Sequence, residues 1–402
     1  MRPRESGASR RLSRWIPAVA APIAIGLGVV LVPLSANAAV DLPDLSPAEL
    51  LEFAGTSDVE ALSGTVEQTS ELGLPELSGL TGAMGAPNAA GGGGAEASAS
   101  DLDDLVSLAT GSHTARVYVD GSNARLQVLD RLAERNVYLG DAEAWIYDSA
   151  ERAATHLTVD TAALDALKAD AESHGDEARR QLEAELGEPM PTPEEVLDEA
   201  LARLDETTEV TVGTDARVAG REVYELVLTP RDTATLVGEV AVAIDGATGV
   251  ALGASITARG SDEPAFRVAF TDISFDAPDP SVFAFTPPEG TAVTEQAVPI
   301  PTVAELEQWK AEAGSHPSGE RMPQPIVHGD GWSTVVELPM SAAGAAGRGA
   351  EASAMLETFT EAAEGGRILS TSLVTVLFTA DGRVLAGAVT ADRLLDVAAD
   401  GR

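Results

Sequence analysis

The chain has no cysteine among its 402 residues and only two lysines, Lys168 and Lys310. Without cysteine there are no disulfides, no thiolate metal ligands, no thiol nucleophile and no cysteine-linked lipid anchor. Aromatic residues make up 4% of the chain, so a core must be assembled mostly from Val, Leu, Ile and Ala. Positive charge is scarce as well: 26 Lys+Arg stand against 64 Asp+Glu, a formal net charge of −38. Nucleic-acid phosphates need a basic surface, which excludes that class of partner. Neither lysine follows a glycine, so no lysine-bearing phosphate loop can form.

Motifs for chemistry are missing in the same way. The five histidines (His113, His156, His174, His316 and His328) form no H-E-x-x-H, and each reads as a surface or singly hydrogen-bonded side chain. There is no G-x-S-x-G and no S-x-x-K. Asp101, Asp103 and Asp104 read as helix-start acids, because the central glycine of a calcium loop is missing. Tyr118, Tyr138, Trp145 and Tyr147 fall within one run of strands and read as strand core or rim. No catalytic constellation, metal site or cofactor is expected.

What the chain does have is apolar content. Hydrophobic residues reach 44%, too many for a disordered acidic chain and enough for one large or two modest domains. Residues 1–14 carry five arginines, an uncharged apolar run follows from Trp15 to Leu34, and Ala36-Asn37-Ala38 ends it. That order matches a secretory signal peptide over 1–38 and predicts an exported protein, with an uncleaved N-terminal anchor as the alternative. Five of the basic residues lie in this leader, so the mature chain would be still more acidic.

Past the leader, Ser46-Pro47-Ala48-Glu49 predicts a capped helix start and Ala61–Ser70 a first strand. Residues 73–100 are rich in Gly, Ala, Ser and Pro, and 101–109 reads as a brief helix. Strand signals then recur at short spacing from Ala115 to Val159, with Asp120-Gly121 as a hairpin turn. A charged helix is expected over Thr161–Leu186 and an amphipathic one from Thr192 to Leu204. Strands resume from Glu209 to Phe270, and Phe283, Phe285 and Pro287-Pro288 close the region. Roughly ten strands in one antiparallel sheet curl or close on themselves. Beyond Pro299–Pro301 the pattern predicts a helix (Thr302–Ala313), a strand (Trp332–Leu338) and a Gly/Ala linker. A helix (Glu351–Ala363) and a hairpin of Arg367–Phe378 with Val384–Thr390 complete it. The expected division is a half-barrel over 39–297 and a small α+β module over 298–402.

Three stretches carry a family likeness: GREVYELVLTP (Gly220–Pro230), VAIDGATGVALGASI (Val242–Ile256) and ISFDAPDPSVFAFTPPEGTAV (Ile273–Val293). In this order they resemble the periplasmic lipoprotein-carrier superfamily. Its members include LolA-type and LppX-type proteins, the related sensor domain of RseB-type regulators, and above all exported LolA-like proteins of actinobacteria. The resemblance implies an α+β fold: an unclosed β-barrel plugged by helices and holding acyl chains, with no catalysis. The missing lipid-anchor cysteine, the helix over 161–186 and the C-terminal module depart from the classical carriers.

The expected ligand is therefore a lipid or the acyl chains of a lipoprotein. The inward residues of the meander would desolvate it: Val117, Val119, Leu126, Val128, Leu226 and Leu228, then Val242, Ile244, Leu252, Ile256, Val268 and Phe270. The alternative is an RseB-like envelope-stress sensor gripping a membrane anti-sigma factor.

Overall fold

The computed structural model describes residues 42–73, 111–129, 133–166, 169, 206–298, 325–339 and 360–400. Helix α1 (Pro47–Gly55) begins as its residues dictate. The Ser46 hydroxyl accepts from the Glu49 N–H, the Glu49 carboxylate accepts from the Ser46 N–H at 2.8 Å, and Pro47 fills the first turn. Strand β1 (Ala61–Ser70) has the bounds its sequence predicts.

A meander follows: β2 (Gly111–Asp120), β3 (Asn123–Leu129), β4 (Glu134–Leu139), β5 (Glu143–Asp148) and β6 (Ala153–Val159). Gly121, at φ +57°, supplies the left-handed residue of the β2–β3 turn. The second set is β7 (Thr208–Val212), β8 (Ala216–Val218), β9 (Arg221–Pro230), β10 (Val237–Asp245), β11 (Ala251–Ala258), β12 (Pro264–Ser274) and β13 (Ala292–Val298). Strand β1 pairs antiparallel with both β2 and β12 and so joins the two sets into one thirteen-stranded sheet. The order is β13-β6-β5-β4-β3-β2-β1-β12-β11-β10-β9-β7, with β8 beside β9. Its end strands β13 and β7 are not paired with each other, so the curled sheet stays unclosed, as expected.

Gly64 lets this central junction form. A Cβ there would stand 2.7 Å from the Phe270 ring and 2.4 Å from the Asp272 carbonyl oxygen, so no larger residue fits without displacing β12. Register shifts between Thr65 and Val66 at the β1–β12 pairing; such bulges sharpen the local twist of a sheet.

Three features depart from the expected meander. The sheet has thirteen strands against the roughly ten expected, and neither the short β8 nor the edge strand β13 was foreseen. That strand lies parallel to β6, whereas the other named pairs in the sheet are antiparallel. The chain reaches it by crossing the sheet: Arg125 donates to the Val282 carbonyl at 3.3 Å, and the Phe285 ring settles among Tyr138, Trp145 and Tyr147. The Phe/Pro-rich closing stretch is thus a crossover clamp.

The C-terminal sheet has the order β14-β15-β19-β18-β17-β16. Its strands are β14 (Ile326–His328), β15 (Val335–Pro339), β16 (Glu361–Ala363), β17 (Gly366–Ser370), β18 (Thr375–Thr379) and β19 (Arg383–Gly387). Residues 361–363 are strand, not the end of a helix. The single long strand expected over 367–378 is two, because the Thr371 hydroxyl accepts from the N–H groups of Leu373 and Val374 and turns the chain. An unforeseen helix, α2 (Ala391–Asp400), buries Leu394, Val397 and Ala398 against Val335, Leu377 and Leu385.

The two sheets interlock. Thr235 and Val389 form an antiparallel bridge, flanked by Leu236 N–H to Ala388 O at 2.9 Å and Thr390 N–H to Ala234 O at 3.0 Å. Leu373 is buried within the large sheet's core cluster, and the Trp332 indole donates to the buried Thr208 hydroxyl at 2.7 Å. The leader, the Gly-rich stretch beyond Gly73 and the expected helices at 101–109, 192–204 and 302–313 lie outside the described residues. So does the region of the expected linker from Ser341 and of residues 351–359. Of the expected helix from Thr161, residues 161–166 are described and helical.

Candidate binding site: one apolar face of the large sheet

Directly paired residues on neighbouring strands point to the same side of a sheet, so the registers sort the side chains. One row runs Val117, Leu126, Val137, Ile146 through β2, β3, β4 and β5. The next row carries Val119, Ala124, Leu139 and Ala144. On the other flank Val66 pairs with Phe270, Val268 with Ala254, Phe266 with Ile256, Ala254 with Val242 and Val242 with Leu226. Eleven of the twelve residues expected to line a cavity therefore share one face. Leu252 is the twelfth; it falls at a bulge, where Ile244 pairs with Ala251 and Ala243 with Gly253.

The face is not uniform along the sheet. At the β7–β10 end helix α1 lies across it. Leu50 is fully buried there with Tyr224, Leu226 and Ile244, and Leu228 and Val242 pack against that cluster. The Tyr224 hydroxyl donates to the Pro43 carbonyl at 3.0 Å, fastening the segment before the helix. In the middle Leu252, Val268 and Phe270 are buried in the main core, with Val117, Val128 and Ile256 partly buried against it. Val119 is half-buried.

At the β3–β5 end the face is open. Leu126 is 40% exposed, Leu139 47% and Ile146 47%. Scattered exposed aliphatics are ordinary, but three large ones on three adjacent strands of one face form a patch. Only Leu126 of this trio was among the expected lining residues. Leu139 and Ile146 were missed because their strands are apolar on both sides: Tyr138, Trp145 and Tyr147 alternate with them.

The opposite face of the same strands mixes aromatic with polar side chains and is covered by Phe285. Arg125 lies under the Tyr138 ring, 4.8 Å from its centroid, and donates to Asn136 Oδ1 at 3.1 Å. Burial raises the Tyr138 hydroxyl above its ordinary pKa. Further along, burial raises the Glu225 carboxyl, and Glu239 adds to the effect while Arg267 opposes it. His156 accommodates two carboxylates, Glu295 at Nδ1 (2.7 Å) and Glu143 at Nε2 (2.8 Å), with its ring stacked on Trp145 at 4.0 Å. The reading of that histidine as surface or singly bonded is corrected. Among the described residues no group of three His, Cys, Asp or Glu could hold a metal ion. No helix among them is long and apolar enough to cross a membrane. What the open face can do chemically is desolvate alkyl groups.

Solved structures similar to this chain include proteins of the group its motifs resemble. The complex of Pseudomonas aeruginosa MucA and MucB matches at 15% identity and TM-score 0.40, covering 88% of this chain and 96% of that one. An uncharacterized conserved protein from Thermus thermophilus matches at 10% identity and TM-score 0.31, over 62% of this chain and 98% of that one. A LolA superfamily protein from Nitrosomonas europaea matches at 10% identity and TM-score 0.20, over 60% and 99%. No protein-family model and no curated protein matches the chain.

Proposed function

We propose that this is a non-enzymatic, exported binding protein that takes up the acyl chains of a lipid or lipoprotein on the open end of its apolar face. The observation that supports this reading is the exposed trio Leu126, Leu139 and Ile146 on a face that elsewhere is buried or half-buried. Each methylene moved from water onto such a surface contributes about 0.8 kcal/mol, so alkyl chains are the chemistry the patch rewards. The proposed lining keeps Val117, Val119, Leu126 and Val128 from the sequence reading and adds Val137, Leu139 and Ile146. Leu226, Leu228, Val242, Ile244, Leu252, Val268 and Phe270 act in this proposal as the packed support of the site, and Ile256 stands between.

Lipid extraction and mass spectrometry of the purified protein, with displacement of a fluorescent acyl probe, test the proposal. Bound lipid and a probe signal lost in Ile146→Glu are expected. A lipid-free protein that binds no probe would sink it. Recovery of one stoichiometric membrane protein in a pull-down, with no exchangeable lipid, would favour the sensor role instead.

A further inference from the structure

We propose that His156 is a proton-operated latch that fastens the parallel edge strand β13 to the sheet. Strand β13 is exposed along Ala292–Ala297 and, among the described residues, pairs only with β6. Directly across that pairing, Glu295 meets His156. The imidazole side chain is 16% exposed and has a carboxylate oxygen at hydrogen-bond distance from each ring nitrogen, Glu295 on one side and Glu143 of β5 on the other.

A neutral imidazole carries one N–H and can donate to only one of them. Donation to both ionised carboxylates requires the imidazolium, and the two carboxylates in turn favour it. The hydrogen bond with Glu143 is the largest cause holding the His156 pKa above 6.5, and the bond with Glu295 adds to it. From β5 the ring faces Glu143 and Trp145, from β13 Glu295. Its own strand presents Ala154 and Thr158 on that side, so on these three strands no other base competes for the two carboxylates.

A histidine whose pKa is raised by folding contributes stability that is complete below its unfolded value, near 6.5, and is lost as pH rises through the folded value. Loss of the proton leaves one glutamate without its histidine donor and weakens the side-chain tie of β13 to the sheet. Acid fastens the strand and alkali loosens it. The latch sits on the back of β5 and β6, away from Ile146, so it stands or falls independently of acyl binding.

The cysteine-free sequence makes the test direct. A nitroxide attached to Ala297→Cys in the full chain reports the mobility of β13 without background labelling. The expected spectrum is immobilised at about pH 5 and gains a mobile component by about pH 9, with a midpoint above the free-histidine value. In His156→Gln the transition disappears. Independently, the His156 ring proton signal in the unsubstituted protein titrates above 6.5, and Glu295→Gln lowers that midpoint. A label insensitive to pH, a transition that survives in His156→Gln, or a midpoint at or below the free value would each overturn the latch.

Discussion

The two ends of the apolar face are built from the same kinds of residue yet have different neighbours. Around β9 and β10, Leu226 and Ile244 lie under Leu50 of α1 and are lost to solvent. Around β3–β5, Leu126, Leu139 and Ile146 point to the same side and remain 40–47% exposed. The composition of the strands does not separate the two ends; the partner across the face does. Burial turns an aliphatic row into core, and exposure leaves the same row as a surface that rewards an apolar ligand.

Substitutions at each end should separate these roles. The largest loss is expected for Leu50→Ala, which removes a fully buried side chain from the covered end. It should cost about 2–5 kcal/mol in chemical denaturation, because the cavity adds to the lost burial. At the junction between the ends, Gly64→Val should cost about 1–3 kcal/mol or more by forcing a side chain into the Phe270 ring. A neutral result would mean that β12 yields there and that the two halves are less tightly coupled than their register indicates. Trp332→Phe leaves the buried Thr208 hydroxyl without its indole donor and should cost about 1 kcal/mol in the same measurement.

Ile146→Ser at the open end should change stability by only about 0.5 kcal/mol or less, while acyl-probe binding falls. If stability drops as far as for Leu50→Ala, the open end is ordinary core. The smallest effect concerns acid. Burial works against ionisation of Asp245, but the Arg221 guanidinium and the Thr248 hydroxyl outweigh it and hold the carboxyl below 3.8. Its contribution is present above 3.8 and is lost as pH falls through the lower folded value. Arg221→Ala should therefore flatten the stability-against-pH curve below about pH 4 without changing binding at the open end.

Much of this fold was legible in the residues. Ser46, Pro47 and Glu49 define the start of α1, alternation defines most strands of the meander, and Asp120-Gly121 marks a turn whose geometry needs glycine. Each is a local signal, set within a few residues of chain. The candidate site was legible in part. Alternation identified the side of β2 and β3 that carries Val117 and Leu126, because their other side is polar. It could not do so for β4 and β5, where Tyr138, Trp145 and Tyr147 make both sides apolar. Only pairing to β3 assigns Leu139 and Ile146 to the open face.

The sequence by itself determined the chemistry available to this protein: no thiol, little positive charge, few aromatics and abundant aliphatic strands under an acidic surface. It also determined the local starts and turns, which depend on neighbours in the chain. The tertiary structure decided which aliphatic rows became core and which stayed open, since that depends on where α1 lands. It decided as well that Phe285 clamps the aromatic side of β4 and β5, and that His156 meets a carboxylate 139 residues away. Those outcomes rest on contacts between distant segments, whose free energy is realised only once the sheet has curled and brought them together.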